Sequence, residues 1–475
     1  MFNSKEGSKS DFPLTDALKK QRRSQLFRFH VPSHTTERAS LGCYEYDFTE
    51  LSGLDNLFNP EDVIARSQEK SARFFKAHKT YYIVNGSSAG LIAALFSLCR
   101  QGDNVLIGGN FHRSVASALV FCGASPFFIP VEKFLPEIPL NINLKNVELL
   151  IGRRNFKAII ITSPSYWGIT PNLKAICRLA KEKRIPVLVD EAHGGHFIFD
   201  ERFPVSASEA GADIWVNSAH KTMGALTPGA LLHCAEGNVD YDRLESALAM
   251  IQTSSPSYAV MASLEMVRKQ GKNWDDALEV ASYGRDKLKD LKYYSLLKSC
   301  FSEYGFSSDP LRITIIAANM NISGFELKNL LSDGYGIETE MAGYTFLTFL
   351  VHRGHKKHDI DTLYGALSDI EKRYCRILNG KTESGFDPAY SLNKEMNLAP
   401  REASDSPWVE VALKEAAGRV AASTVSAFPP GIPALIPGQL VHEEIKEAIY
   451  RDFCRGYFFT GMKTDGELRI NVVKE

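Results

Sequence analysis

A lysine and an aspartate 31 positions apart carry the chemistry most plainly written in this chain. Lys221 lies in Val216-Asn217-Ser218-Ala219-His220-Lys221-Thr222-Met223, and Asp190 in Val187-Leu188-Val189-Asp190-Glu191-Ala192-His193. Each stands just past a short apolar run that reads as a strand. An amine so placed can condense with an aldehyde. A carboxylate so placed can keep a heteroaromatic nitrogen protonated, which turns the ring into an electron sink. The two together suit pyridoxal 5'-phosphate (PLP). A lysine taken alone is more often a solvated surface residue. Ser, His and Lys in one string after a strand, matched to an Asp after another, tell against that here.

Three further stretches could serve such a site. Asn85-Gly86-Ser87-Ser88-Ala89-Gly90 joins a strand to a helix. Its small residues let backbone N–H groups approach an anion at a helix N-terminus, and Ser87 and Ser88 add hydroxyls. It lacks the lysine of a Walker loop and the spacing of a dinucleotide loop. His112, in Phe111-His112-Arg113-Ser114, can stack on a flat ring, or can simply cap a helix. His193-Gly194-Gly195-His196, beside Asp190-Glu191, offers a rival metal site. Its two glycines make a regular helix unlikely, however, and no further Cys/His cluster completes a ligand set.

These residues need a scaffold that brings strand ends together. From Tyr81 to Cys234 apolar runs alternate with helical patterns. Strands are expected at Tyr81–Val84, Asn104–Ile107, Lys157–Thr162, Ile185–Asp190, Asp213–Asn217 and Ala230–His233, and helices at Gly90–Leu98, Arg113–Phe121 and Leu173–Lys183. Such alternation predicts an α/β domain with a largely parallel sheet and helices on both faces. Ligands collect beyond the carboxyl ends of such strands, where every motif above falls. Helices should dominate from Tyr241 to Lys298, and a smaller α+β region should begin near Arg312-Ile313-Thr314-Ile315-Ile316. This predicts a large N-terminal domain over 1–300 and a C-terminal one over 301–475. Residues 380–406 read as a polar excursion, followed by Pro/Gly-rich strings at Phe428–Pro433 and Pro437-Gly438.

Composition narrows the setting. The 475 residues are 44% apolar and 23% charged, with a formal net charge of -1. That balance gives no electrostatic reason to expect nucleic acid or an anionic membrane as partner. The basic cluster Lys19–Arg23 reads as the solvated face of a first helix. Eight scattered cysteines without a CxxC pair suggest reduced thiols. No apolar run approaches the ~18 residues of a membrane span, and no secretory signal is visible. A cytoplasmic protein is expected.

Taken together, the ordered pieces resemble the Orn/Lys/Arg decarboxylase family of fold type I PLP enzymes, from about Phe29 to about Tyr450. The pieces are Thr49–Asp55, Asp190–Gly194, Ser218–Thr222, Thr253–Tyr258, and Gly418-Arg419 with Pro429–Pro433. The resemblance implies Lys221 as the Schiff-base lysine and Asp190 as partner of the pyridine nitrogen. It implies His112 stacked on the ring with Ala192 against the opposite face, and His193 near the phenolic oxygen or reacting centre. Ser87, Ser88, Ser218 and His220 would bind the phosphate, with Thr253 reaching the phosphate of the other subunit of a homodimer or of an assembly of dimers. The implied reaction is decarboxylation of lysine, arginine or ornithine. The chain departs from the family pattern at Ser33 and Thr35, Gly109, Arg113, Ser423, Phe428 and Gln439. Two of these remove carboxylates and bear on recognition of a basic side chain. A PLP-binding pseudoenzyme, an aminotransferase-like enzyme and a metal-dependent hydrolase stand as alternatives. An aminotransferase would need an arginine such as Arg401 or Arg419 to clamp the α-carboxylate.

Overall fold

The computed structural model describes residues 10–23, 45–135, 137–270, 273–298, 301–317, 320–374 and 396–474. Ser33, Thr35 and most of the expected excursion at 380–406 lie outside these residues. Seven strands form the central sheet: β1 (Lys79–Ile83), β2 (Asn104–Gly108), β3 (Ser125–Ile129), β4 (Ala158–Thr162), β5 (Val187–Asp190), β6 (Ile214–Asn217) and β7 (Ala230–Cys234). Their order is β1-β7-β6-β5-β4-β2-β3. All neighbours pair in parallel except β7, which runs antiparallel to both β1 and β6.

Two-sided burial explains the near-continuous apolar strands. Val105, Ile107, Ala158, Ile160, Leu188, Ile214 and Val216 pack on one face, with helices Ser87–Leu98, Arg113–Cys122 and Tyr241–Ile251. The alternate residues Leu106, Ile159, Ile161, Val187, Val189 and Trp215 pack on the other, with helices Leu144–Ile151, Leu173–Glu182 and Ala207–Ala210. The period of two along each strand thus feeds two separate cores.

The expected strands and helices appear with ends shifted by a few residues. Strand β3, the hairpin Val131–Leu135/Ile138–Ile142 and helix Leu144–Ile151 were not anticipated. In β3 the pattern is broken by Pro126, tolerated because the strand lies at the sheet edge. Helix Ser87–Leu98 begins three residues earlier than its apolar pattern suggested. Gly86, at φ +84°, makes the turn that places Ser87 and Ser88 in the first helical turn instead of a loop. Within the expected excursion, Pro400–Asp405 is helical, with proline at its start.

Beyond the large sheet, a four-stranded sheet contains Ser295–Leu296, Arg312–Ile316, Phe346–Leu350 and Met341–Ala342 in that order. Helix Lys357–Tyr374 packs over it, and two three-stranded sheets follow between Trp408 and Val473. The basic residues Lys19, Lys20, Arg22 and Arg23 are exposed on helix Pro13–Arg23, as their pattern predicted.

That first helix is held by a remote carboxylate. Glu265, fully buried, accepts from the Leu14 and Thr15 amides at 3.1 and 2.7 Å, from the Thr15 hydroxyl at 2.5 Å and from Ser67 Oγ at 2.6 Å. It satisfies the orphan N–H groups of one helix while tying down a second. Glu265→Ala should lower stability by about 2–3 kcal/mol, read as a lower urea midpoint. An unchanged midpoint would show that solvent replaces these bonds without cost.

Candidate active site

The parallel register puts the carboxyl ends of β1, β4, β5 and β6 at one edge. Asp190 lies beside Thr162 on one side and Val216 on the other. The loops leaving these ends converge on a cavity of about 380 Å³. His112, Asp190, Ala192, His193, Ser87, Ser88, Ser218, His220 and Lys221 all line it. Thr253 does not. It is exposed in the loop between helices Tyr241–Ile251 and Tyr258–Met266, with its amide donating to Asn85 Oδ1 at 3.4 Å.

Asp190 ends β5 almost completely buried, and its Oδ1 accepts from the Ala192 amide at 3.1 Å. Burial raises its pKa, opposed by the Lys221 charge and the Ala192 amide. Lys221 sits in the short helix Ala219–Thr222 immediately after β6, with Nζ 2.9 Å from His193 Nε2 and 5.6 Å from the Tyr166 ring centre. Burial lowers its pKa, and the Arg312 charge adds to this, while Asp190 and Glu340 oppose it.

His112 both caps and faces the cavity. It is the N-cap of helix Arg113–Cys122, and its Nδ1 accepts from the Ser114 amide at 3.2 Å. The capping and stacking roles are therefore compatible, because the cap uses one nitrogen and leaves the ring face. Gly431, at φ +87°, lies over this ring. A Cβ there would stand 3.2 Å from His112 Cδ2 and Nε2, so the Pro/Gly string forms the cavity's far wall with Phe428, Pro430 and Ile432.

The anion end is equally defined. Ser218 Oγ donates to Ser87 Oγ at 2.7 Å, at the N-terminus of a 12-residue helix. The Gly229 carbonyl can only accept, so His220 Nδ1 donates to it at 3.0 Å, which fixes the ring at the cavity wall. Amides, hydroxyls and an imidazole around one helix start fit a phosphate. Elsewhere on the cavity wall, the Asn110 amide and Thr162 hydroxyl are buried without partners among the described residues, as polar ligand atoms there would require. The residues present fit PLP.

The His-Gly-Gly-His string divides. His193 faces Lys221, whereas His196 packs among Phe197, Phe203 and Trp274, 3.3 Å from Asp309 Oδ2. The two imidazoles do not converge on one ligand. Glycines at 194 and 195 let the chain pass: a Cβ would stand 2.7 Å from Pro164 Cδ at the first and 2.6 Å from Met223 Cε at the second.

With the geometry in place, the comparisons agree with it. The Orn/Lys/Arg decarboxylase major-domain model matches residues 12–304, and the C-terminal-domain model matches 385–454. The chain belongs to the Orn/Lys/Arg decarboxylase family. An arginine decarboxylase of Bacillus subtilis is 31% identical, with 98% of this chain and 99% of that protein covered. An inducible lysine decarboxylase of Escherichia coli is 23% identical, covering 98% of this chain and 81% of that one. Among solved structures, a Francisella novicida lysine decarboxylase superposes with a TM-score of 0.81 at 19% identity, covering 98% of this chain and 81% of the other. A serine palmitoyltransferase from Sphingomonas wittichii gives 0.55 at 15%, covering 76% and 84%. The fold is that of the fold type I PLP enzymes, and the family makes the chain a PLP-dependent decarboxylase.

The family's motifs now have physical roles. Tyr258 Oη donates to the Asp55 carbonyl at 2.5 Å, joining two of the sequence pieces. The Asp55 carboxylate accepts from the amides of Glu61, Asp62 and Ile64 and so opens helix Val63–Phe74. Of the departures within the described residues, Phe428 lines the cavity, while Gly109, Arg113, Ser423 and Gln439 do not. Gln439 is buried, and its Oε1 accepts from the Ile436 amide at 3.0 Å. Sequence reasoning missed Tyr166 and Asn110 in the wall, and Arg312 behind it. Arg312 was read only as the start of a strand, since nothing in its neighbours signals a contact 119 positions away.

Burial, helped by the Lys221 and Arg113 charges, pushes the His112 pKa down to about 4. The ring should therefore stay neutral through the physiological range. Its 13C-ε1 resonance in the full chain should be flat from pH 8 to about 5. A titration centred near 6.5 would mean that the ring is solvated and does not face a closed cavity.

Proposed function

We propose that this chain decarboxylates a basic L-amino acid, with arginine the first substrate to test ahead of lysine and ornithine. The carrying observation is the convergence of Lys221 and Asp190 on one cavity with His112 and the Ser87/Ser88/Ser218/His220 anion cradle. Relatives at 30–31% identity named arginine decarboxylase support the preference over lysine decarboxylases at 22–23%.

PLP, when bound, supplies the aldehyde and a protonated ring able to accept electrons from a cleaved bond. The chain supplies everything that holds and directs it. Ser87, Ser88, Ser218, His220 and the helix N-terminus would bind the phosphate, and Asp190 would hold the ring nitrogen's proton. His112 and Ala192 would confine the ring between them. Lys221 would be the attachment point, and His193 carries a polar atom 2.9 Å from its amine. A preorganised site of this kind acts on charge that develops during reaction, with no reorganisation of water.

Transamination fits less well. Arg401 is spent on the Val120 and Phe121 carbonyls, and neither it nor Arg419 lines the cavity. The same reading divides the chain into a large domain over 1–300 and a C-terminal one over 301–475. It places the protein in the cytoplasm, on its scattered cysteines. Among the described residues no helix is long and apolar enough to cross a membrane.

The decisive experiment incubates PLP-loaded protein with arginine, lysine and ornithine separately and identifies the amine and CO2 released. Lys221→Ala should abolish borohydride-trapped cofactor and turnover, and Asp190→Asn should retain cofactor while losing most of the rate. Full activity in either variant would overturn its role. Trapped cofactor with no amine from any substrate would favour a pseudoenzyme.

We also propose a homodimer in which Thr253 of one subunit serves the other's phosphate, supported by its exposure and its place outside its own cavity. Lys221→Ala and Thr253→Asp chains, each inactive, should partly rescue one another on reassembly. Absence of rescue despite proven subunit exchange would refute shared sites.

A further inference from the structure

Behind the cavity, one buried guanidinium touches the residue that touches the lysine. Arg312 begins the strand Arg312–Ile316 of the four-stranded sheet, and its side chain is fully buried. Its Nη2 lies 2.6 Å from His193 Nδ1, and its Nη1 donates to the Tyr166 carbonyl at 2.9 Å. Asp309 stands 3.9 Å from Nε and Glu340 3.9 Å from Nη1, two carboxylates that offset the cost of the buried charge. The chain also makes room for it. A Cβ at Gly168, itself at φ +82°, would stand 2.9 Å from Arg312 Cδ.

Hydrogen-bond direction then determines where the protons are. A guanidinium only donates, so His193 Nδ1 must be an acceptor. A neutral imidazole with an accepting Nδ1 carries its proton on Nε2, which therefore donates to Lys221 Nζ at 2.9 Å. The amine accepts that bond through its lone pair, which an ammonium does not have. Burial, together with the Arg312 charge, holds His193 well below its ordinary pKa, in keeping with a neutral ring.

We propose that Arg312 is a positioning residue: by fixing the proton of His193 on Nε2, it holds Lys221 as a free amine, the form able to attack an aldehyde. Control of the reacting lysine is thereby exerted from the four-stranded sheet, outside the large sheet that carries Lys221 itself. The inference rests on Lys221 being the reacting amine and is independent of which substrate is decarboxylated. The charged and titratable groups around Lys221 are Asp190 and Glu340, which favour its ammonium form, and Arg312, His193, His112, His220 and Tyr166.

The test reads Lys221 directly. In the full chain freed of PLP, cyanate adds to free-base amines, and peptide mass spectrometry gives the carbamylation rate of Lys221 against pH. Arg312→Gln replaces a donor-only group with an amide that can accept, so His193 can reverse. The Lys221 rate at pH 7.5 should fall about tenfold, because most of the amine is then protonated, and Arg312→Lys should restore part of it. His193→Ala, which removes the group between them, should produce a similar fall, and adding Arg312→Gln to it should change little more. Additive losses would overturn the proposal, because they would show the arginine acting as a distant charge and not through the imidazole. An unchanged rate in Arg312→Gln or in His193→Ala would overturn it as well. Should Arg312→Gln fail to fold because the buried Asp309 loses its neighbouring guanidinium, Asp309→Asn/Arg312→Gln keeps the local charge balanced and is measured in its place. A chain that releases no amine from any substrate yet shows this non-additive pattern would refute the proposed function and leave the relay standing.

Discussion

A carboxylate buried at the end of a parallel strand is costly unless positive charge faces it. Asp190 is such a group, and much of the site can be understood as an answer to it. Its own loop contributes one amide, from Ala192. Lys221 stands at the end of the neighbouring strand, where its ammonium form would oppose that charge. A cationic cofactor ring nitrogen would complete the environment, so the site's electrostatics are best satisfied when a ligand is present. The sheet topology makes this possible, since parallel pairing of β4, β5 and β6 brings three strand ends to one edge.

The same constraint governs the loops. The chain must turn sharply after Asp190 without filling the cavity, and Gly194 and Gly195 permit this against Pro164 and Met223. On the opposite side, the Pro/Gly string at 428–432 closes over His112, tied by the Arg113 amide donating to the Gly431 carbonyl at 3.0 Å. Residues separated by more than 300 positions thus form one wall. Phe428 belongs to that wall while half exposed, so among the departures within the described residues it is the one placed where a ligand would meet it.

The C-terminal half is therefore more than a support. Ile432 and Phe428 shape the cavity, and Arg312 reaches His193 from the first residue of an inner strand of the four-stranded sheet. Another buried carboxylate, Glu137, ties the hairpin Val131–Leu135/Ile138–Ile142 to the C-terminal region through Tyr457 Oη and the Tyr344 and Thr345 amides. Burial raises its pKa to about 7 against the pull of these donors. Polar groups at such a seam specify one relative placement of the two parts, because any other leaves donors and carboxylate unpaired.

Much was legible in the residues alone, for local reasons. Strand and helix periods predicted the α/β alternation, and the residues just past the strands named the lysine, the aspartate, His112 and the serine cradle. Chemistry at a strand end depends on a few adjacent positions, and these are adjacent in sequence. The edge strand Ser125–Ile129 escaped because Pro126 and half-exposed phenylalanines blur its pattern. The helix start at Ser87 was misplaced because polar residues in a first turn leave no apolar signal. Tertiary structure alone decided that His193 and His196 part company, that Gly431 lies on His112, and that Arg312 meets His193. Those facts depend on long-range packing and on the directions of hydrogen bonds, and neither property is carried by any short stretch of chain.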